Sequence, residues 1–264
     1  EGLLATGSCR GIVLLAASSM TESRQTPFGT VKILPGSGMC PAILAEIEEL
    51  SGLNVPTCRV GLTGGSTPKT FYEWMADQHP FPGDIDLWDS ILWSCSDERH
   101  VSLEDDGSNF GNAQRGMLDP LGFAEGNFRP WPVYCEPQDA AARFNRLWED
   151  ELPARPVFDL CLLGMGDDCH TASLFPKSPL LSNPVDESFA AVEVPGKGWR
   201  LTVTPAGLRR CGRIVVVVVG AGKAEAVKEV FRGPQDPIDR PVQFLQELVS
   251  NTVWLLDEDA SGLL

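Results

Sequence analysis

Ile214-Val215-Val216-Val217-Val218-Val219, followed by Gly220-Ala221-Gly222-Lys223, is the stretch from which the fold can be read. An apolar run with no polar alternation suits a strand buried on both faces, as in a parallel sheet between two layers of helices. A glycine-rich turn comes next, and then Ala226, Val227, Val230 and Phe231 recur at helical spacing. Working outward, the same succession repeats. Candidate strands at 59–62, 91–94, 158–163, 190–194, 201–204 and 252–255 accompany the one at 214–219. Ile43, Ile47 and Leu50 mark a second helical stripe, and Phe71, Trp74 and Met75 a third. Alternation of this kind predicts an α/β fold: a single domain with a mostly parallel sheet covered by helices on both faces. Proline-rich stretches at 128–137 and 233–241 read as surface loops, and no repeat or long linker divides the chain. The domain is expected over 31–264, behind an N-terminal extension, 1–30, of uncertain structure.

Composition narrows the function classes. Hydrophobic residues at 43% and charged residues at 22% fall in the globular range, which excludes a disordered chain. A net charge of −15 repels phosphate backbones and anionic lipid, so no nucleic acid and no membrane surface is expected as a partner. The 264 residues contain no apolar run long enough to span a bilayer. Segment 11–19 is mildly apolar behind Arg10, a faint form of a signal-peptide core, and Met20 reads as an alternative start. Eight cysteines without a CxxC pair point to reduced thiols and a cytoplasmic location. Three histidines without an HExxH motif give little basis for a catalytic zinc. A polyanion that binds an anionic metabolite must gather its few cations at one point.

The chemistry-bearing residues stand at the ends of the candidate strands, where open α/β sheets collect ligands. After 59–62 come Thr63-Gly64-Gly65-Ser66-Thr67-Pro68. Two glycines allow a tight turn, Thr67 suits an N-cap and Pro68 the first helical position. Free N–H groups and a positive dipole at such a helix start make an anion cradle, although a plain strand–turn–helix joint also fits. After 158–163 come Gly164-Met165-Gly166-Asp167-Asp168-Cys169-His170. An imidazole titrates near neutrality and can serve as a general base, with a carboxylate orienting its ring. A capping Asp with a surface His is the other reading of that loop. His79 and His100 lack such a setting and read as solvated bystanders. After 91–94, Ser96-Asp97-Glu98-Arg99 leads to Asp105, Asp106, Ser108 and Asn109, which also fits a solvated loop. Lys223 at a helix start is misplaced for the dipole unless it meets an anion, and Arg200 is a second candidate cation.

Together these segments resemble the 6-phosphogluconolactonase family of the glucosamine/galactosamine-6-phosphate isomerase superfamily. The matching blocks are LTGGSTP at 62–68, SDERHV at 96–101, DDGSN at 105–109, FDLCLLGMGDDCHTASLFP at 158–176, RLTVT at 200–204 and GAGKAEA at 220–226. They appear in the family's order and span roughly 35–260. The long central block is the most specific; the GGSTP and GxGK blocks are individually weak. Cys169 stands where the family's pattern has glycine, and 1–30 matches nothing.

The resemblance implies a Rossmann-type sugar-phosphate isomerase-like fold. It also implies hydrolysis of 6-phospho-D-glucono-1,5-lactone to 6-phospho-D-gluconate in the oxidative pentose phosphate pathway, with no cofactor and no metal. On matching positions, Gly64, Gly65, Ser66, Thr67, Arg200 and Lys223 would hold the phosphate. His170 would take a proton from water attacking C1 and return it to the departing ring oxygen. Asp168 would orient His170 or the water, and Arg99 with Asp97 would shape the sugar pocket. The expected partner is the small-molecule lactone, bound by a monomer or small homo-oligomer. Two alternatives remain. Glucosamine-6-phosphate deaminase resembles this pattern but carries a glutamate five positions after the histidine, where this chain has Phe175, expected to pack against the sheet. A non-catalytic sugar-phosphate sensor would be expected to carry a basic DNA-binding region, which residues 1–40 do not resemble.

Overall fold

The computed structural model describes residues 22–53, 55–78, 85–151 and 156–264. The strands are β1 (Glu22–Thr26), β2 (Gly29–Leu34), β3 (Cys58–Leu62), β4 (Ile91–Cys95), β5 (Asp97–Arg99), β6 (Leu160–Gly164), β7 (Phe189–Val194), β8 (Gly198–Val203), β9 (Arg213–Val218) and β10 (Thr252–Asp257). Seven form the main sheet in the order β1-β2-β10-β9-β6-β3-β4. All neighbours in it run parallel except β1, which pairs antiparallel with β2 at the edge. The valine run lies in the middle of this sheet as β9. Every residue of β3, β4 and β10 is buried, so both faces are covered, as the absence of polar alternation requires. The helices used below are α1 (Met39–Glu48), α2 (Ser66–Gln78), α3 (Asn109–Ala113), α4 (Pro137–Glu151) and α5 (Ala224–Arg232).

Chain order reverses between β3 and β6. From β3 the chain proceeds outward to β4, whereas β9 and β10 follow on the far side of β6. At such a switch point the loops leaving the two strands diverge and open a crevice at their carboxyl ends. The segments beginning at Thr63 and Met165 leave from these two strands.

The structure corrects several expectations. Strands near 190–194 and 201–204 form, but in a separate antiparallel sheet of order β5-β8-β7. That sheet grows from the carboxyl edge of the main one: the Ser96 N–H donates to the Leu62 carbonyl at 2.7 Å, and Val203 N–H to the Ser96 carbonyl at 2.8 Å. It is fastened by an aromatic cluster that sequence reading did not assemble. Trp131 stacks on Phe144 of α4 with centroids 3.9 Å apart, Phe144 meets Phe189 of β7 at 4.6 Å, and Trp148 meets Phe158 at 5.5 Å. Such pairs contribute about 0.5–1.5 kcal/mol each beyond their buried area.

The expected division at residue 30 falls inside β2. Residues 22–26 are polar and mostly exposed, so as an edge strand they give no hydrophobic signal. The hairpin is nonetheless tied to the core, because the Trp254 indole N–H donates to the Phe28 carbonyl at 2.8 Å and Phe28 packs edge-on against Phe231. His100 is half-buried rather than solvated, with Nε2 2.7 Å from the Cys135 carbonyl. Cys9, segment 11–19, Met20 and His79 lie outside the described residues. Among the described residues, no helix is long and apolar enough to cross a membrane.

Candidate active site

The loops leaving β3, β6 and β9, together with β5 and β8, enclose a cleft of about 300 Å³. It is lined by Gly64, Gly65, Ser66, Thr67, Asp97, Arg99, His170, Arg200 and Lys223. Asp168 reaches the cleft through its hydrogen bond to His170. Residues from five separate sequence blocks therefore converge on one opening at the switch point.

The β3–α2 turn is shaped by a neighbour. A Cβ on Gly64 would lie 1.9 Å from Asn109 Oδ1, so only glycine lets the turn pass under α3. Helix α2 begins at Ser66, earlier than the N-cap expected at Thr67, and Pro68 becomes its third residue. Pro68 has no N–H and the Lys69 N–H donates to the Gly65 carbonyl at 3.2 Å, which leaves the N–H groups of Ser66 and Thr67, both at the cleft, without an intrahelical partner, as an anion cradle requires.

The 164–177 loop holds the imidazole. Asp168 Oδ1 accepts from the His170 backbone N–H at 3.1 Å and lies 2.5 Å from His170 Nδ1. A carboxylate can only accept, so Nδ1 bears the proton, and in the neutral imidazole Nε2 keeps its lone pair. Burial alone would raise the Asp168 carboxyl, but the hydrogen bonds from His170 and its nearby charge outweigh that and hold it below the usual carboxylate range. Gly166 N–H donates to the His170 carbonyl at 2.9 Å, closing the loop on itself. Cys169, Ala172 and Lys177 are the non-glycine residues with positive φ among those described, and all three fall here. Cys169 has φ +62°, which is why a glycine suits that place; its thiol is buried 3.8 Å from the Ala226 carbonyl. Left-handed geometry costs a non-glycine residue about 1–2 kcal/mol, and strain of this kind concentrates at functional sites.

Phe175 does more than pack against the sheet. Its ring stacks on His170 with centroids 4.2 Å apart and also lines the cleft. Ser173, two residues earlier, fixes the loop to the second sheet: its hydroxyl donates to Asp97 Oδ2 at 2.6 Å and its N–H to Thr202 Oγ1 at 3.1 Å. Asp97 also receives the Asn109 amide at its backbone carbonyl, 2.9 Å away. Burial raises the Asp97 carboxyl, against the pull of Ser173 and the nearby cations. Glu98, beside it, accepts from the N–H groups of Arg99, Asn109 and Phe110 and from the Ser108 hydroxyl. Burial pushes its carboxyl up to about 7 against those donors. Glu98 therefore ties the 105–110 segment to β5. Sequence reading gave no role to Ser173, Glu98 or Asn109; each lay within a quoted block, but its partner is distant in the chain.

The cations are arranged against their own repulsion. Arg99 and Arg200 are direct cross-strand partners on β5 and β8. Like charges so placed are destabilising unless an anion is shared between them. Burial first, and Arg99 second, lower the Arg200 guanidinium from its usual value. Arg99 Nη1 donates to the Gly107 carbonyl and Arg200 Nη1 to the Lys197 carbonyl, each at 2.5 Å. Lys223 meets an anion here, but it is Asp167, whose Oδ1 lies 2.6 Å from Nζ. Among the described residues, no three His, Cys, Asp or Glu side chains converge as a metal site would need. A base with a free nitrogen, beside cations and helix N–H groups, can deprotonate water and hold an anionic substrate.

The family model described as glucosamine-6-phosphate isomerases/6-phosphogluconolactonase matches residues 39–254. A Synechocystis sp. protein named 6-phosphogluconolactonase is 38% identical over 206 residues, 76% of this chain and 82% of that protein. Another of that name, from Aggregatibacter actinomycetemcomitans, is 34% identical over 227 residues, 84% of this chain and 94% of its own. The crystal structure of 6-phosphogluconolactonase from Leishmania guyanensis superposes with a TM-score of 0.72 at 27% identity, covering 91% of this chain and 99% of that one.

Proposed function

This chain belongs to the glucosamine-6-phosphate isomerase/6-phosphogluconolactonase family, and from that premise we propose that it hydrolyses 6-phospho-D-glucono-1,5-lactone to 6-phospho-D-gluconate in the oxidative pentose phosphate pathway, with His170 as general base. The observation that carries this reading is the imidazole, oriented through Nδ1 by Asp168 at 2.5 Å and left with a free Nε2 in a cation-lined cleft. The phosphate rests on the α2 start, with Lys223 and Arg200 beside it. Water attacks C1 of the lactone while Nε2 takes its proton. The carbonyl electron pair moves to the exocyclic oxygen, then returns to expel the ring oxygen, which receives the proton from Nε2. Asp168 favours the imidazolium formed between the two transfers. Arg99 and Asp97 bound the sugar end of the cleft. A reducing, cytoplasmic setting is supported by seven unpaired cysteines among the described residues.

The deaminase reading is disfavoured at one position. Phe175 occupies the place of the deaminase glutamate and lies flat on His170, where it can neither give nor take a proton. The purified protein is expected to accelerate 6-phosphogluconate formation above spontaneous lactone hydrolysis while releasing no ammonia from glucosamine 6-phosphate. Steady ammonia release, abolished by His170→Ala, would reverse the choice.

The phosphate assignment is tested separately. A charge-assisted contact contributes roughly 1.5–3 kcal/mol, less what Lys223 gives up in leaving Asp167. Lys223→Ala is expected to weaken binding of 6-phosphogluconate by about tenfold and to leave gluconate nearly unaffected. Equal losses for both ligands, measured by calorimetry, would remove Lys223 from the phosphate site.

A further inference from the structure

Two lysines line the cleft, and they are differently occupied. Lys223 is neutralised by Asp167 at 2.6 Å. Lys197, in the turn between β7 and β8, has no carboxylate within ion-pair distance among the described residues. In a chain carrying 36 Asp and Glu residues, that is an uncompensated charge at a cleft. Its Nζ lies 5.4 Å from the centre of the Phe175 ring, and this same ring stacks on His170 with centroids 4.2 Å apart. The backbone beneath Lys197 is fixed on both sides: its N–H donates to the Val194 carbonyl at 2.9 Å, and its own carbonyl accepts from Arg200 at 2.5 Å. The side chain itself is exposed and held only by an aromatic face, a weak contact in water.

We propose that Lys197 is a further catalytic residue, the cation that meets the negative charge forming on the exocyclic C1 oxygen as water adds to the lactone; this rests on the lactonase reading above. The Phe175 ring contacts both the ammonium and the imidazole, and all three side chains line the same cleft. The lactone carbonyl is neutral in the bound substrate and anionic in the tetrahedral intermediate. A cation resting on a π-face gains little from the first and much from the second, and such differential binding lowers the barrier without tightening the ground state. Water's proton goes to His170 Nε2, the carbonyl electron pair goes to the exocyclic oxygen facing Lys197, and collapse of that oxyanion expels the ring oxygen, which takes the proton back. No proton passes through Lys197.

The test compares Lys197→Gln, Lys197→Ala and Lys197→Arg with the unaltered enzyme in steady-state lactone hydrolysis, with circular dichroism as a check on folding. Loss of one such donor is expected to lower kcat by about 10²-fold in the glutamine and alanine variants with KM little changed. Lys197→Arg should recover most of the loss, because the charge and a donor are kept. Unchanged kcat with a raised KM would overturn the proposal, since Lys197 would then only attract the substrate. Unchanged kcat and KM would overturn it equally, leaving the lactonase reading intact. An unaltered enzyme that fails to speed hydrolysis would instead bring down the lactonase reading, and this assignment with it.

Discussion

His170→Ala is expected to lose about 10²–10⁴-fold in kcat for lactone hydrolysis while binding 6-phosphogluconate with near-normal affinity. Among the described residues the ring makes no hydrogen bond or ring contact beyond Asp168 and the Phe175 stack, so its removal leaves the α2 start and the cleft's cations in place. A pH–rate profile sharpens the expectation. A carboxyl held below its usual range keeps its charge until the pH falls below that range, so Asp168 stays ionised through mild acidification. The acidic limb of the profile then does not report Asp168, and it should vanish from the residual activity of His170→Ala. Full turnover by the variant above pH 7 would remove His170 from the reaction.

Gly166→Ala is the second substitution with a large expected effect, and it adds a single methyl group. That Cβ would lie 2.0 Å from His170 Nδ1 and 2.6 Å from Asp168 Oδ1, against both atoms whose hydrogen bond aims the ring. The Gly166 backbone is outside the left-handed region, so alanine meets no backbone strain there. The imidazole must move instead. A displacement of about 1 Å in a reacting group can cost on the order of 10²-fold, which is the expected fall in kcat/KM with the fold retained. Proton NMR of the Nδ1–H, shifted far downfield while it bonds to Asp168, should lose that signal in the variant. Wild-type kcat/KM together with a lost signal would show that the Asp168 contact is dispensable.

Two classes of residue separate here by how far their information travels along the chain. The β9 run, the helical stripes at 43–50 and 226–231 and the glycine-rich turns carry their meaning locally, in hydrophobic periodicity and allowed φ. That the 164–170 loop carries a carboxylate and an imidazole was likewise legible, because the two lie close in the chain; that Asp168 aims the ring was one of two readings there. Phe175 does pack on the core as expected, but nothing local says that a phenylalanine five residues on also returns to stack on the imidazole. Lys197 drew no attention, because a lysine between two glycines in a hairpin turn is ordinary until Phe175 is found beneath it. The N-terminal hairpin was invisible for the opposite reason: an exposed polar edge strand is defined by its neighbour β2 and by nothing in its own composition.

By itself the sequence determined an α/β domain and the strand-end positions of its chemistry-bearing residues, both consequences of short-range periodicity and spacing. Only the tertiary structure decided that the order reverses between β3 and β6, which sets the cleft where the two loops part. It also moved β7 and β8 out of the main sheet into a second one, bringing Arg200 opposite Arg99. It linked Ser173 to Asp97 across 76 residues and Lys223 to Asp167 across 56. Strand order, register and ion pairing across such separations follow from which packing buries the most apolar surface and satisfies the most polar groups at once. That is a property of the whole chain, and no window of the sequence contains it.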